Sequence, residues 1–191
     1  SLIFIVVALA TGFLGGLLNG LLIAYLKITA ILCTLGTQML FIGLAVAISD
    51  GRSVRVGAPG PLYEIGNGLL FEIPISFLLF IGVACIIGFV LRYTPFGMWL
   101  MLNGSNPKAA EYAGFPKNKV IISTYTVSGI LSSLAGIIIA ARTINVKWDY
   151  GTSYLLVAIL IAVMAGVKPE GGYGRVICVV LSAITLQMMS S

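Results

Sequence analysis

Six apolar runs constrain this chain more than any other feature, because a segment of about 20 apolar residues with almost no charge is the length needed to cross a hydrocarbon core of about 30 Å as a helix. The first run, residues 2–26, is polar only at Thr11 and Asn19. Lys27 alone separates it from the second, residues 28–49, whose polar members are Thr29, Thr34, Thr37, Gln38 and Ser49. A third run covers 73–91 and opens with Pro74, a residue that suits a first helical turn because its missing N–H is no loss there. The fourth covers 120–141 and is closed by Arg142. Residues 155–167 are apolar over only 13 positions, about 20 Å as helix, so this segment is either one end of a tilted span starting near Tyr150 or re-entrant. A last run, 176–189, closes the sequence. The expected fold is therefore all-α: a polytopic transmembrane helix bundle of five to six spans, one of them open to a re-entrant reading.

Composition excludes the alternatives. A chain that is 59% hydrophobic and 9% charged, with a mean hydropathy of +1.10, has too little charge to cover a water-soluble surface. Its 23 glycines fit membrane helices whose backbones pack closely. Six acids, no histidine and three cysteines embedded in apolar runs (Cys33, Cys85, Cys178) leave little for acid/base work, a thiol nucleophile or a metal site, so no catalytic residues, no metal and no enzyme are expected. The net charge of +5 comes from basic residues in short segments between apolar runs, which speaks for topology and not for nucleic acid. Lys27, Arg92, Lys108, Lys117, Lys119, Lys168 and Arg175 fall on one side, and Arg52, Arg55, Arg142 and Lys147 on the other. Positive residues are retained inside, so the seven-residue side is expected to be cytoplasmic. The sequence begins at Ser1 on an apolar run without a basic leader, as expected of an internal piece of a longer polytopic chain.

Residues 50–72 form an outward loop of 23 residues with Pro59, Pro61 and five glycines. The cytoplasmic stretch 92–119 carries Arg92, Lys108, Glu111, Lys117 and Lys119. Within it Asn106 followed by Pro107 reads as an N-cap and first helical residue, and Gly114 as a left-handed stop. The seven residues 107–113 would make two turns, too short and polar to enter a bilayer, with Ala109, Ala110 and Ala113 on one small face. That face lacks the bulky residues a lipid-resting helix uses and invites a groove on another protein.

Inside the first run, Gly12, Gly15, Gly16 and Gly20 make a smooth helix-packing face, with Asn19 beside it. An amide is costly against lipid, so Asn19 should turn inward. Thr34, Thr37 and Gln38 give the second run a polar stripe, with Thr34 and Gln38 four apart on one face. Asn19, Thr34 and Gln38 are the candidate path for a solute, and their neutrality suits a hydroxyl-rich molecule better than an ion. No nucleotide site is visible: where 166–172 would need a P-loop lysine it has Gly172.

The blocks Gly15-Gly16-Leu17-Leu18-Asn19-Gly20, Thr34-Leu35-Gly36-Thr37, Thr94-Pro95-Phe96-Gly97, Asn103-Gly104-Ser105-Asn106-Pro107-Lys108-Ala109-Ala110 with Ala113-Gly114, and Gly171-Gly172-Tyr173-Gly174 resemble the permease subunits of bacterial ABC importers for ribose and other simple sugars, a family that includes autoinducer-2 permeases. The resemblance runs over essentially the whole chain and departs from the family pattern at Ala165-Gly166-Val167-Lys168-Pro169. It implies a multi-pass protein of the bacterial inner membrane that pairs with a second permease, identical or homologous, and meets membrane lipid but no nucleic acid. A periplasmic solute-binding protein would deliver the solute, with Asp50, Arg52, Arg55 and Glu64 of the outward loop as its candidate dock. Cytosolic ATP-binding subunits would hold ATP and Mg, with no cofactor in this chain. They would engage the coupling element Asn103, Gly104, Ser105, Asn106, Pro107, Lys108, Ala109, Ala110, Ala113 and Gly114. Transport of branched-chain amino acids, nucleosides or autoinducer-2 by the same fold, or secondary transport or channel activity without an ATPase, are the alternative readings.

Overall fold

The computed structural model of the chain describes residues 2–55, 66–70, 73–105, 114, 116–168 and 171–190. Among them are seven helices: α1 Leu2–Leu26, α2 Ala30–Ser49, α3 Ile75–Tyr93, α4 Pro95–Ser105, α5 Lys117–Thr143, α6 Tyr150–Met164 and α7 Val176–Ser190. Four two-residue strands complete the list, β1 Val54–Arg55, β2 Leu69–Leu70, β3 Ile73–Pro74 and β4 Asn145–Val146. The protein is thus nearly all-α, and α1, α2, α3 and α5 are long and apolar enough to cross a membrane. Helix α6, with 15 residues, spans about 22 Å at 1.5 Å per residue, short of a core of about 30 Å.

The helices expose apolar side chains on their outer surfaces. Ile3, Ile48, Ile86 and Leu156 are all well exposed, a surface that only lipid tolerates over such lengths. The buried residues are mostly small, among them Ala24, Cys33, Ala140 and Ala141, which is how helices pack when lipid supplies no hydrophobic drive and backbones must approach closely.

Several boundaries differ from the sequence-based expectation. Pro74 lies in β3, before α3, because Leu69 and Leu70 pair antiparallel with Pro74 and Ile73 and delay the helix to Ile75. The stretch 92–119 is not simply a charged loop: α4 occupies 11 of its residues and carries no charge itself. Thr94 sets its start, with Gly97 N–H donating to Thr94 O at 3.2 Å. The loop 50–72, expected to face outward, likewise contributes β1 and β2.

The chain divides into two compact units, residues 1–78 with 121–150, and residues 79–120 with 151–191. In the first, α1 and α2 are joined by a turn at Lys27, which takes φ +52°. Helix α5 lies antiparallel to α1: Gly20 meets Ile122, Gly16 meets Tyr125 and Thr126, and Gly12 meets Gly129 and Ser133. The contact continues where Ile137 and Ala141 pack with Phe4, Ile5, Ala8 and Leu9. At that end β1 pairs antiparallel with β4, Val54 opposite Val146 and Arg55 opposite Asn145, and the Asn67 amide donates to Ala141 O at 3.3 Å.

Candidate functional site

Helices α1, α2 and α5 of the first unit line an open cavity of about 570 Å³. From α1 come Phe4, Ala8, Thr11, Gly12, Gly15, Gly16 and Asn19, and from α2 come Thr34, Thr37, Gln38 and Phe41. Helix α5 contributes Tyr125, Ser128, Gly129, Ser132, Ser133, Gly136, Ile137 and Ala140. The glycines are what make the room: at Gly15 a Cβ would already lie 3.2 Å from the Phe41 ring.

The cavity's polar groups divide into those spent on the protein and those left open. Thr11, Thr34 and Ser133 donate to carbonyls of their own helices, at Ala8 O (2.9 Å), Ala30 O (2.9 Å) and Ile130 O (2.7 Å). The buried Thr37 hydroxyl has one proton and three acceptors in range, and the shortest contact, 2.8 Å, runs across the helix pair to Asn19 Oδ1. That bond occupies Asn19 Oδ1. Among the described residues no hydrogen bond is made by the Asn19 N–H donors or by the side chains of Gln38, Ser128 and Ser132, all of which line the cavity. Among the described residues the lining carries no carboxylate, ammonium or guanidinium, while Phe4, Phe41 and Tyr125 add flat apolar faces. Neutral donors and acceptors beside aromatic rings match a small uncharged molecule with several hydroxyls.

Asn19, Thr34 and Gln38 therefore border one cavity. The packing glycines Gly12, Gly16 and Gly20 meet α5 backbone or side chains, whereas Gly15 faces Phe41. Asn103, Gly104 and Ser105 form the end of α4, Asn103 Oδ1 being buried without a hydrogen-bond partner, and Gly114 takes φ +72°. Asn106, Pro107, Lys108, Ala109, Ala110 and Ala113 lie outside the described residues. Of the candidate dock, Asp50 ends α2 in a left-handed conformation, Arg52 and Arg55 are exposed, and Glu64 lies outside the described residues. Among the described residues no group of three or more His, Cys, Asp or Glu could hold a metal.

Sequence reasoning passed over α5. Tyr125, Ser128 and Ser132 stand at i, i+3 and i+7, with Gly129, Ser133 and Gly136 at i+4, i+8 and i+11, and this spacing puts all six on one face. The pattern was available as a signal but reads as ordinary small-residue packing until a partner helix is known.

Thr37→Val removes the hydroxyl while keeping the shape. It is expected to lower stability by about 1 kcal/mol, because Cys33 Sγ, 3.9 Å from Asn19 Oδ1, is a weak replacement donor. Thermal unfolding of the detergent-solubilised protein reads this as a lowered midpoint, and an unchanged midpoint would remove the bond from the account.

The family described as "Branched-chain amino acid transport system / permease component" matches residues 1–191. The chain is 32% identical over 188 residues to the ribose import permease protein RbsC of Haemophilus influenzae, covering 97% of this chain and 58% of that protein. It is 35% identical over 168 residues to the L-arabinose transport system permease protein AraH of Escherichia coli, covering 88% and 51%. To the autoinducer 2 import system permease protein LsrC of Photorhabdus laumondii it is 33% identical over 184 residues, covering 96% and 55%. The chain thus spans about half the length of the curated relatives it matches. No solved structure matches it.

Proposed function

This chain belongs to the family of branched-chain amino acid transport system permease components, and from that premise we propose that it forms part of the membrane permease of an ATP-driven importer for a neutral, sugar-like solute. The observation that carries the reading is the cavity between α1, α2 and α5, whose described lining is uncharged and sets amide and hydroxyl groups beside aromatic faces. A free amino acid would bring a carboxylate and an ammonium into that space with no counter-charge among the described lining residues to meet either, which is costly where water is displaced. A sugar brings hydroxyls that Asn19, Gln38, Ser128 and Ser132 can satisfy. The names of the ribose and arabinose relatives point to the same solute class.

The mechanism is alternating access. A solute-binding protein delivers the solute to the outer face, where Asp50, Arg52, Arg55 and Glu64 form the dock. ATP and Mg are held by separate cytosolic subunits, whose closure pulls on the coupling element from Asn103 to Gly114 and shifts the helices between outward and inward states. A second permease subunit completes the pathway in the bacterial inner membrane. Weak solute contacts in the cavity suffice, because the binding protein performs the selection.

Uptake of labelled D-ribose, L-arabinose and L-leucine by cells carrying the full-length protein with its ATP-binding and solute-binding subunits tests this. Sugar uptake is expected to persist when the membrane potential is collapsed with ATP maintained, and leucine is expected neither to enter nor to compete. Uptake that collapses with the potential would point to a secondary transporter, and leucine entry to an amino-acid permease.

A further inference from the structure

The described residues between α6 and α7, in the second unit, are joined by a series of backbone hydrogen bonds. Helix α6 ends in a Schellman motif: Gly166 takes φ +71°, its N–H donates to Val163 O at 3.0 Å, and Val167 N–H donates to Ala162 O at 3.1 Å. Farther on, Lys168 N–H donates to Tyr173 O at 3.3 Å and Gly171 N–H to Lys168 O at 2.9 Å. Gly171 and Gly172 sit at φ +88° and +78°, conformations open to glycine and strained for any side chain.

This turn lies directly on the last turn of α4. A Cβ at Gly104 would come within 2.7 Å of Gly171 C and 2.9 Å of Gly172 Cα, and a Cβ at Gly172 within 2.6 Å of Ser105 N and 2.8 Å of Ser105 Cα. The contact is backbone on backbone, with no room for a methyl group on either side. Ser105 is the residue from which the chain enters the expected coupling segment, so the turn fixes where that segment begins. The turn also presents exposed side chains: Tyr173 is 64% exposed, and Lys168 and Arg175 are exposed as well. With Glu170 the turn is net positive in sequence, and an exposed tyrosine in such a setting is the kind of group that anchors protein interfaces.

We propose that this turn is a second docking element for the cytosolic ATP-binding subunit, in which Gly104, Gly171 and Gly172 seat the turn against α4 and Tyr173 contacts an acidic surface of that subunit. The inference rests on the coupling role proposed above, since continuity with Asn103 to Ser105 is what identifies the occupant. Tyr173 is a contact residue, and the three glycines position it.

The test is titration of the cognate ATP-binding subunit onto the full-length protein in lipid nanodiscs. Tyr173→Ala should weaken binding about tenfold, and because the side chain is exposed the fold should be unaffected. Gly104→Ala should weaken it similarly, while Gly43→Ala in α2, where a Cβ meets nothing within 4 Å, should leave it unchanged. If Ala110→Arg abolishes binding but Tyr173→Ala stays within twofold of the parent, the turn is not a docking element and the coupling segment acts alone. If the unsubstituted protein binds no ATP-binding subunit, the coupling role falls and this inference falls with it. Should Gly104→Ala fail to fold, Tyr173→Ala decides.

Discussion

Gly16→Val is expected to prevent the first unit from assembling, seen as loss of the monodisperse peak of the detergent-solubilised protein in size-exclusion chromatography. A Cβ at Gly16 would fall on the Tyr125 carbonyl oxygen and 3.0 Å from Thr126 Cα. Both are helix backbone and cannot rotate aside. Relief requires α1 and α5 to part, which also separates Gly12 from Gly129 and Gly20 from Ile122. Overpacking of this kind costs about 3 kcal/mol or more, against a net stability of roughly 5–15 kcal/mol. Helix propensity runs the other way, since replacing glycine by alanine in a helix gains up to about 1 kcal/mol. Gly16→Ala and Gly43→Ala should therefore differ in sign: the first destabilises because it meets α5, and the second is neutral or stabilising because nothing lies within 4 Å. Equal behaviour of the two would mean that α5 does not lie against α1.

Ala110→Arg is expected to remove the ATP-binding subunit from pull-downs of the full-length protein out of detergent-solubilised membranes, with expression and solubility unchanged. In the two-turn helix that the sequence implies for 107–113, Ala109, Ala110 and Ala113 would share a face of methyl groups suited to a cleft, and a guanidinium there would add bulk and an unmatched charge. Uptake should fall to background while the solute-binding protein still docks, because the outward loop is untouched. Retention of the ATP-binding subunit by this variant would move coupling to another segment. Absence of that subunit from the unsubstituted protein would favour a transporter that works without ATP.

The long spans were legible because each is one unbroken apolar run whose length is set by the bilayer, and Leu2–Leu26 follows its run residue for residue. Helix α4 was not, because the stretch 92–119 reads as a polar loop when it is defined by its charges, and those charges flank Pro95–Ser105 without entering it. Pro74 illustrates a different failure: its chemistry permits a first helical turn, but pairing with Leu69 pulls it into a strand. In the cavity, Asn19 stood out as a lone amide in an apolar run, and Gln38 for the same reason. Their neighbours on α5 did not stand out, because serine and glycine serve packing and polarity equally and only a known partner helix separates the two uses. The choice of α5 as the partner of α1 is itself tertiary information, set by matched backbone approach over more than two turns, which no local pattern encodes.

The same contact sets an order of assembly during synthesis. Helix α5 begins some hundred residues after α1, so at about 5–20 residues per second α1 waits roughly 5–20 s in the membrane before its partner is made. Its glycine face can wait against lipid at little cost, but a carboxamide cannot. Asn19 does not have to: its acceptor bond comes from Thr37, in the helix made next, and forms as soon as the first hairpin closes. The nascent hairpin of α1 and α2 thereby satisfies the Asn19 carbonyl oxygen on its own, before α5 arrives to close against the glycine face.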